Sequence, residues 1–102
     1  MKKSFVFFPF LLLFTHSLVF SQQLKIDLQA VVWASSCMAC HGTDGKAEGV
    51  GLTIGGHKAD ELYRELLEYK SGKRLGTIMQ QHAKGYSDDE LKRIALFFSQ
   101  IK

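Results

Sequence analysis

Ser35-Ser36-Cys37-Met38-Ala39-Cys40-His41-Gly42-Thr43-Asp44-Gly45, the stretch SSCMACHGTDG of residues 35–45, holds both cysteines of the 102-residue chain. Two residues lie between them, and a histidine directly follows the second. A Cys-x-x-Cys pair serves zinc, a redox disulfide or a haem. Zinc needs four ligands, usually with a second cysteine pair. No further cysteine exists here, and the spacings of His57 and His82 match no common structural zinc site. A thiol-redox pair belongs at the start of a helix beside a βαβ unit, whereas this chain shows no convincing period-two alternation. Cys-x-x-Cys-His is the attachment signature of a c-type haem. One helical turn presents two thiols to the two vinyl groups of a porphyrin, and the next residue places an imidazole under the iron. Cys37 and Cys40 are therefore the candidate covalent attachments and His41 the candidate proximal ligand, with a zinc or thiol-redox module as the alternative.

The chain opens MKKSFVFFPFLLLFTHSLVFSQQ, with Lys2 and Lys3 ahead of an apolar run from Phe5 to Phe20. That is the pattern of a secretory leader, and Val19 and Ser21 are small enough to flank a cleavage after Ser21. The run is short for a bilayer span of roughly 20 apolar residues and is interrupted by Pro9 and His16. Residues 1–21 are thus expected to be a cleaved signal peptide, leaving one domain over residues 22–102 and a periplasmic location. Haem attachment of this kind takes place outside the cytoplasm, so leader and motif agree.

A mature chain of about 80 residues rarely supplies enough apolar core on its own and usually needs a disulfide, a metal or a cofactor. Two cysteines this close would enclose too small a loop for an effective staple. The formal net charge of +3 falls further once Lys2 and Lys3 are removed. A nucleic-acid surface needs a stronger basic excess.

Three helical segments are legible. The first runs from about Leu24 to Ser36, with Leu24, Leu28, Val31, Val32 and Trp33 on its apolar side. A loop with six glycines between Gly42 and Gly56 follows, suited to close approach of backbone to a bulky ligand. The second helix spans about Lys58 to Ser71, with Leu62, Leu66 and Tyr69 in register and Gly72 as its C-cap. The third starts at Ser87, which forms a capping box with Glu90, and buries Leu91, Ile94, Ala95, Phe98 and Ile101. The fold class is all-α.

Haem iron with one histidine has a sixth position to fill. The segment RLGTIMQQHAKG of residues 74–85 offers Met79 and His82, with His57 or an open position as the remaining options. Met1 is the initiator and Met38 sits between the cysteines, so Met79 is the thioether free to reach the far face.

The block CMACHGTDG, followed by LYRELLEYKSGKRLGTIMQQHAKGYSDDELKRIALFFSQ, resembles the class I cytochromes c. Within that class it is similar to cytochrome c4-type haem domains and to the cytochrome subunit of flavocytochrome c sulfide dehydrogenase. The resemblance runs from about Val31 to the C-terminus and is most specific from Tyr69 to Phe97. It implies a class I fold of three to four helices around one covalent haem c, with thioethers at Cys37 and Cys40 and axial ligands His41 and Met79. One departure stands out. Class I members carry a proline in the glycine loop whose carbonyl accepts the proximal histidine's ring N–H, and the only proline here is Pro9. Either a backbone carbonyl near Gly51 to Ile54 takes that role, or the histidine is oriented differently.

The same resemblance implies outer-sphere transfer of single electrons rather than catalysis, with a redox protein as partner. Two roles follow: the electron-accepting subunit of a flavoprotein that oxidises sulfide, or a free periplasmic shuttle to an oxidase or another cytochrome. Trp33, Tyr63, Leu66, Ile78, Phe97 and Phe98 are the candidate haem lining, and Lys70, Lys73, Arg74 and Lys84 a candidate docking ring.

Overall fold

Residues 25–49 and 52–102 are described by a computed structural model of the chain. The expected signal peptide with its cleavage after Ser21, and Leu24 of the expected first helix, lie outside the described residues. Four helices follow in order, α1 at Leu28–His41, α2 at Ala59–Ser71, α3 at Met79–Lys84 and α4 at Asp88–Ser99, with a 3-10 turn at Thr43–Gly45 after α1. No strand occurs among the described residues, in keeping with the all-α expectation.

Helix α1 begins where the Asp27 carboxylate accepts the N–H of Ala30 at 3.0 Å. It does not stop at Ser36. Nothing in Cys-Met-Ala-Cys-His breaks a helix, so α1 continues to His41 and ends at Gly42, whose φ of 80° turns the chain away. Its buried residues also differ from expectation: Ala30 and Ala34 are fully covered, whereas Leu28 is 72% and Val32 63% exposed. Small residues one turn apart let α1 lie close on α4, which leaves the larger aliphatics facing outward.

Helices α2 and α4 form as their patterns predict. Gly72 caps α2 in the left-handed conformation (φ 80°, ψ 2°). Ser87 Oγ accepts the Glu90 N–H at 3.2 Å while the Glu90 carboxylate accepts the Ser87 N–H at 2.8 Å, completing the capping box. Leu91, Ile94, Ala95 and Phe98 are all buried; Ile101 lies past the helix end and is half-buried. Helix α3 was legible only as loop, because six residues are too few for an apolar period to emerge.

Helix α4 is central, packing against α1 on one side and α2 on another, while α3 packs on α2. Arg93 of α4 holds the start of α1 through two hydrogen bonds to Asp27, at 2.7 and 2.8 Å, and stacks 4.7 Å above the Trp33 ring. Ser36 donates its one hydroxyl proton to Trp33 O at 2.8 Å, so Tyr86 OH is the donor in its 2.7 Å contact with Ser36. The protein interior is thin. Among the described residues, half of the buried hydrophobic ones are alanines (Ala30, Ala34, Ala83, Ala95), and Phe98 and Leu91 are the largest fully buried side chains.

The glycine loop closes on itself. Gly45 O accepts the N–H groups of Ile54 at 2.8 Å and Gly55 at 3.0 Å, so the two ends of the loop lie backbone to backbone. A Cβ on Gly45, which has φ 69°, would come within 2.8 Å of Gly55 N and 2.9 Å of the Phe98 ring. A Cβ on Gly55 would run into Asp44 O. At these two positions the close approach that glycine permits is of chain to chain.

Candidate functional site

All four helices contribute to one predominantly apolar cleft with about 860 Å³ of atom-free space, open to solvent on one side. Helix α1 supplies Ser36, Cys37, Cys40 and His41; α2 supplies Leu62, Glu65, Leu66 and Tyr69; α3 supplies Met79 and His82; α4 supplies Ile94, Ala95 and Phe98. Ile54 and Ile78 complete the wall. Cys37, Cys40, His41, Met79 and His82 therefore line the same cavity, whereas His57, the other histidine weighed for the sixth position, does not.

The extension of α1 through its motif puts Cys37 and Cys40 three positions apart on a helix, where side chains are neighbours on one face. Neither cysteine forms a disulfide. Cys37 is half-buried, and burial pushes its thiol pKa up. Cys40 stands at the exposed end.

His41 is the last residue of α1, and its ring is already oriented. Nδ1 lies 2.6 Å from Leu52 O, and since a carbonyl only accepts, Nδ1 must carry the proton. The tautomer leaves Nε2 with its lone pair, the state in which a neutral imidazole binds a metal. Leu52 falls within the Gly51–Ile54 window, so a backbone carbonyl there takes the absent proline's role.

Three residues after Met79 on the same short helix, His82 lines the cleft alongside the methionine. Of the six apolar residues expected to line the site, Leu66, Ile78 and Phe98 do so, whereas Trp33, Tyr63 and Phe97 pack against the core outside it. Leu62 and Tyr69 also line the cleft, and their α2 register with Leu66 already marked that helix face. Glu65, between them, carried no signal in sequence.

The four residues of the candidate docking ring differ in their surroundings. Lys70 donates to Tyr86 O at 2.9 Å and to Asp88 at 2.7 Å, and Arg74 is engaged by Glu65 and Glu68. Lys73 and Lys84 are exposed.

Among the described residues no three His, Cys, Asp or Glu side chains converge to hold a bare metal ion, so the zinc alternative lacks a ligand set there. Two thiols one turn apart, an adjacent imidazole with its outer nitrogen free and an apolar cleft suit a covalently anchored porphyrin.

Residues 29–102 match the family model for cytochrome c. The cytochrome subunit of sulfide dehydrogenase from Chlorobaculum tepidum is 39% identical over 66 residues, covering 65% of this chain and 60% of that relative. Cytochrome c-553 from Nitratidesulfovibrio vulgaris is 36% identical over 90 residues, 83% of this chain and 88% of the relative. Cytochrome c-553 from Helicobacter pylori is 34% identical over 81 residues, 78% and 82% of the two chains. The chain thus spans less than two thirds of the sulfide dehydrogenase subunit and most of the length of each cytochrome c-553.

Proposed function

The chain belongs to the cytochrome c family, and from that premise we propose that it is an exported, periplasmic carrier of single electrons that accepts them from a flavoprotein, such as the flavin subunit of a sulfide-oxidising enzyme. One covalent haem c goes with the family, and the chain is an electron carrier. Bound in the cleft, that group supplies reversible one-electron chemistry at its iron. We assign its attachment to Cys37 and Cys40 and its axial positions to His41 and Met79.

Each residue's contribution follows from its place. The α1 helix holds the two thiols at the spacing of one turn, and the Leu52 carbonyl fixes the His41 ring and makes Nε2 a better donor. Met38 is packed against the core from within α1, which leaves Met79 as the thioether that lines the cleft. A thioether favours reduced iron more than a second imidazole does. Leu62, Leu66, Ile94 and Phe98 exclude water, which limits the reorganisation that accompanies a change of charge.

The observation that carries this reading is the convergence of Cys37, Cys40, His41 and Met79 on one cleft. The mature protein should have the mass of residues 22–102 plus one haem. A mass without haem, or a chain still carrying its leader, would overturn the assignment. The flavoprotein partner draws support from the likeness to a sulfide dehydrogenase subunit and from the outward-facing Leu28 and Val32, an apolar surface of the kind a permanent subunit buries.

A second reading, a free shuttle, is favoured by the near full-length match to the cytochromes c-553. Native purification separates the two. A co-eluting flavin-containing chain supports the first; elution as a lone small protein supports the second.

A further inference from the structure

Between Gly72, which ends α2, and Met79, which begins α3, the chain has little to hold it. Lys73, Leu75, Gly76, Thr77 and Ile78 are all exposed, Leu75 to 85%. Arg74 is the single half-buried residue of the segment. Its backbone N–H donates to Glu68 O at 3.1 Å. Its Nε donates to the Glu68 carboxylate at 3.0 Å, and a terminal nitrogen lies 3.7 Å from Glu65. The guanidinium also sits 5.6 Å from the centroid of the Tyr69 ring. One side chain thus engages three residues on the last two turns of α2.

Two of those three, Glu65 and Tyr69, line the cleft. The Tyr69 ring in turn bears on the loop: a Cβ at Gly76 would lie 2.8 Å from its Cε1, so the Gly76 backbone rests against the ring, three residues before Met79. Arg74 is also within ion-pair range of Glu65, which ties it to a second residue of the cleft wall. We infer that Arg74 is a positioning residue, which pins residues 75–78 to α2 and so sets where Met79 enters the cleft. This inference rests on the reading of Met79 as the iron's distal ligand.

The fork geometry matters more than the charge. A lysine at this position keeps the positive charge but cannot bond two carboxylates in plane and stack on a ring at once. The test uses the purified holoprotein and reads the weak near-infrared band of sulfur-ligated ferric iron as pH is raised, together with carbon monoxide binding to the ferrous form. In Arg74→Lys the band should be lost at a pH lower by about one unit, a roughly tenfold shift in the ligation equilibrium, and carbon monoxide should bind more readily. Glu68→Gln, which cuts the same contact from the other side, should move both readouts in the same direction. Ser87→Ala removes a helix cap elsewhere, lowers stability and should leave the band's pH dependence unmoved. A band present in the unsubstituted protein and unchanged in Arg74→Lys would overturn the inference alone. Absence of the band in the unsubstituted protein would overturn the Met79 assignment, and the inference with it.

Discussion

Met79 and His82 present two donors of different softness to one cleft from a single short helix. Sulfur stabilises ferrous iron relative to nitrogen, so the identity of the bound residue sets the potential. Met79→Ala should remove the near-infrared band and lower the reduction potential by something on the order of 0.1 V, within the roughly 0.8 V range that axial ligands span. His82→Ala should leave both nearly unaltered, and combining it with Met79→Ala should leave the iron accessible to carbon monoxide. Loss of the band in His82→Ala with a silent Met79→Ala would make the pair of ligands two histidines. That Cys37, Cys40 and His41 would share one site was legible from sequence, because they are neighbours along the chain. The direction of His82 was not, because a helix of one and a half turns leaves no periodic trace to read.

Helix ends were the most legible elements, since a cap is written in two or three adjacent residues. Ser87 with Glu90, and Gly72 after Ser71, formed as their sequence signals require. The buried face of α1 was misread because hydrophobicity favours Leu28 and Val32, whereas close helix contact selected Ala30 and Ala34. What fastens that helix is polar. Asp27 caps α1 and pairs with Arg93 of α4, and these interactions, the Arg93 hydrogen bonds foremost, lower its pKa from 3.8 to about 2. A carboxylate depressed in the folded state stabilises it fully above the unfolded value and progressively loses that contribution as pH falls through the folded one. Asp27→Asn should therefore melt at a lower temperature than the parent near neutral pH, and the difference should shrink between about pH 4 and pH 2. Thermal unfolding of the two holoproteins across that window checks it, and a constant difference would show that the pair contributes nothing through its charge.

At the largest scale, four helices of the described residues meet around a cleft and share a core in which alanine stands at half the buried hydrophobic positions. A chain of this size with so little buried bulk depends on what fills the cleft. The double variant Cys37→Ala/Cys40→Ala should be exported without covalent haem and show much reduced helicity and no cooperative melt by circular dichroism. A well-folded, haem-free helical protein would show instead that the apolar core suffices. The Leu52 carbonyl carries a consequence of another kind. Because the group that orients His41 belongs to the main chain, replacing the side chain at position 52 does not delete it. The contact is silent to point substitution and sensitive to chain length. In a scan of all single changes, position 52 should accept most residues, Gly45 and Gly55 almost none, and removal of any one residue from 46–54 should abolish holoprotein. Such a loop can drift freely in composition over generations while its length stays fixed.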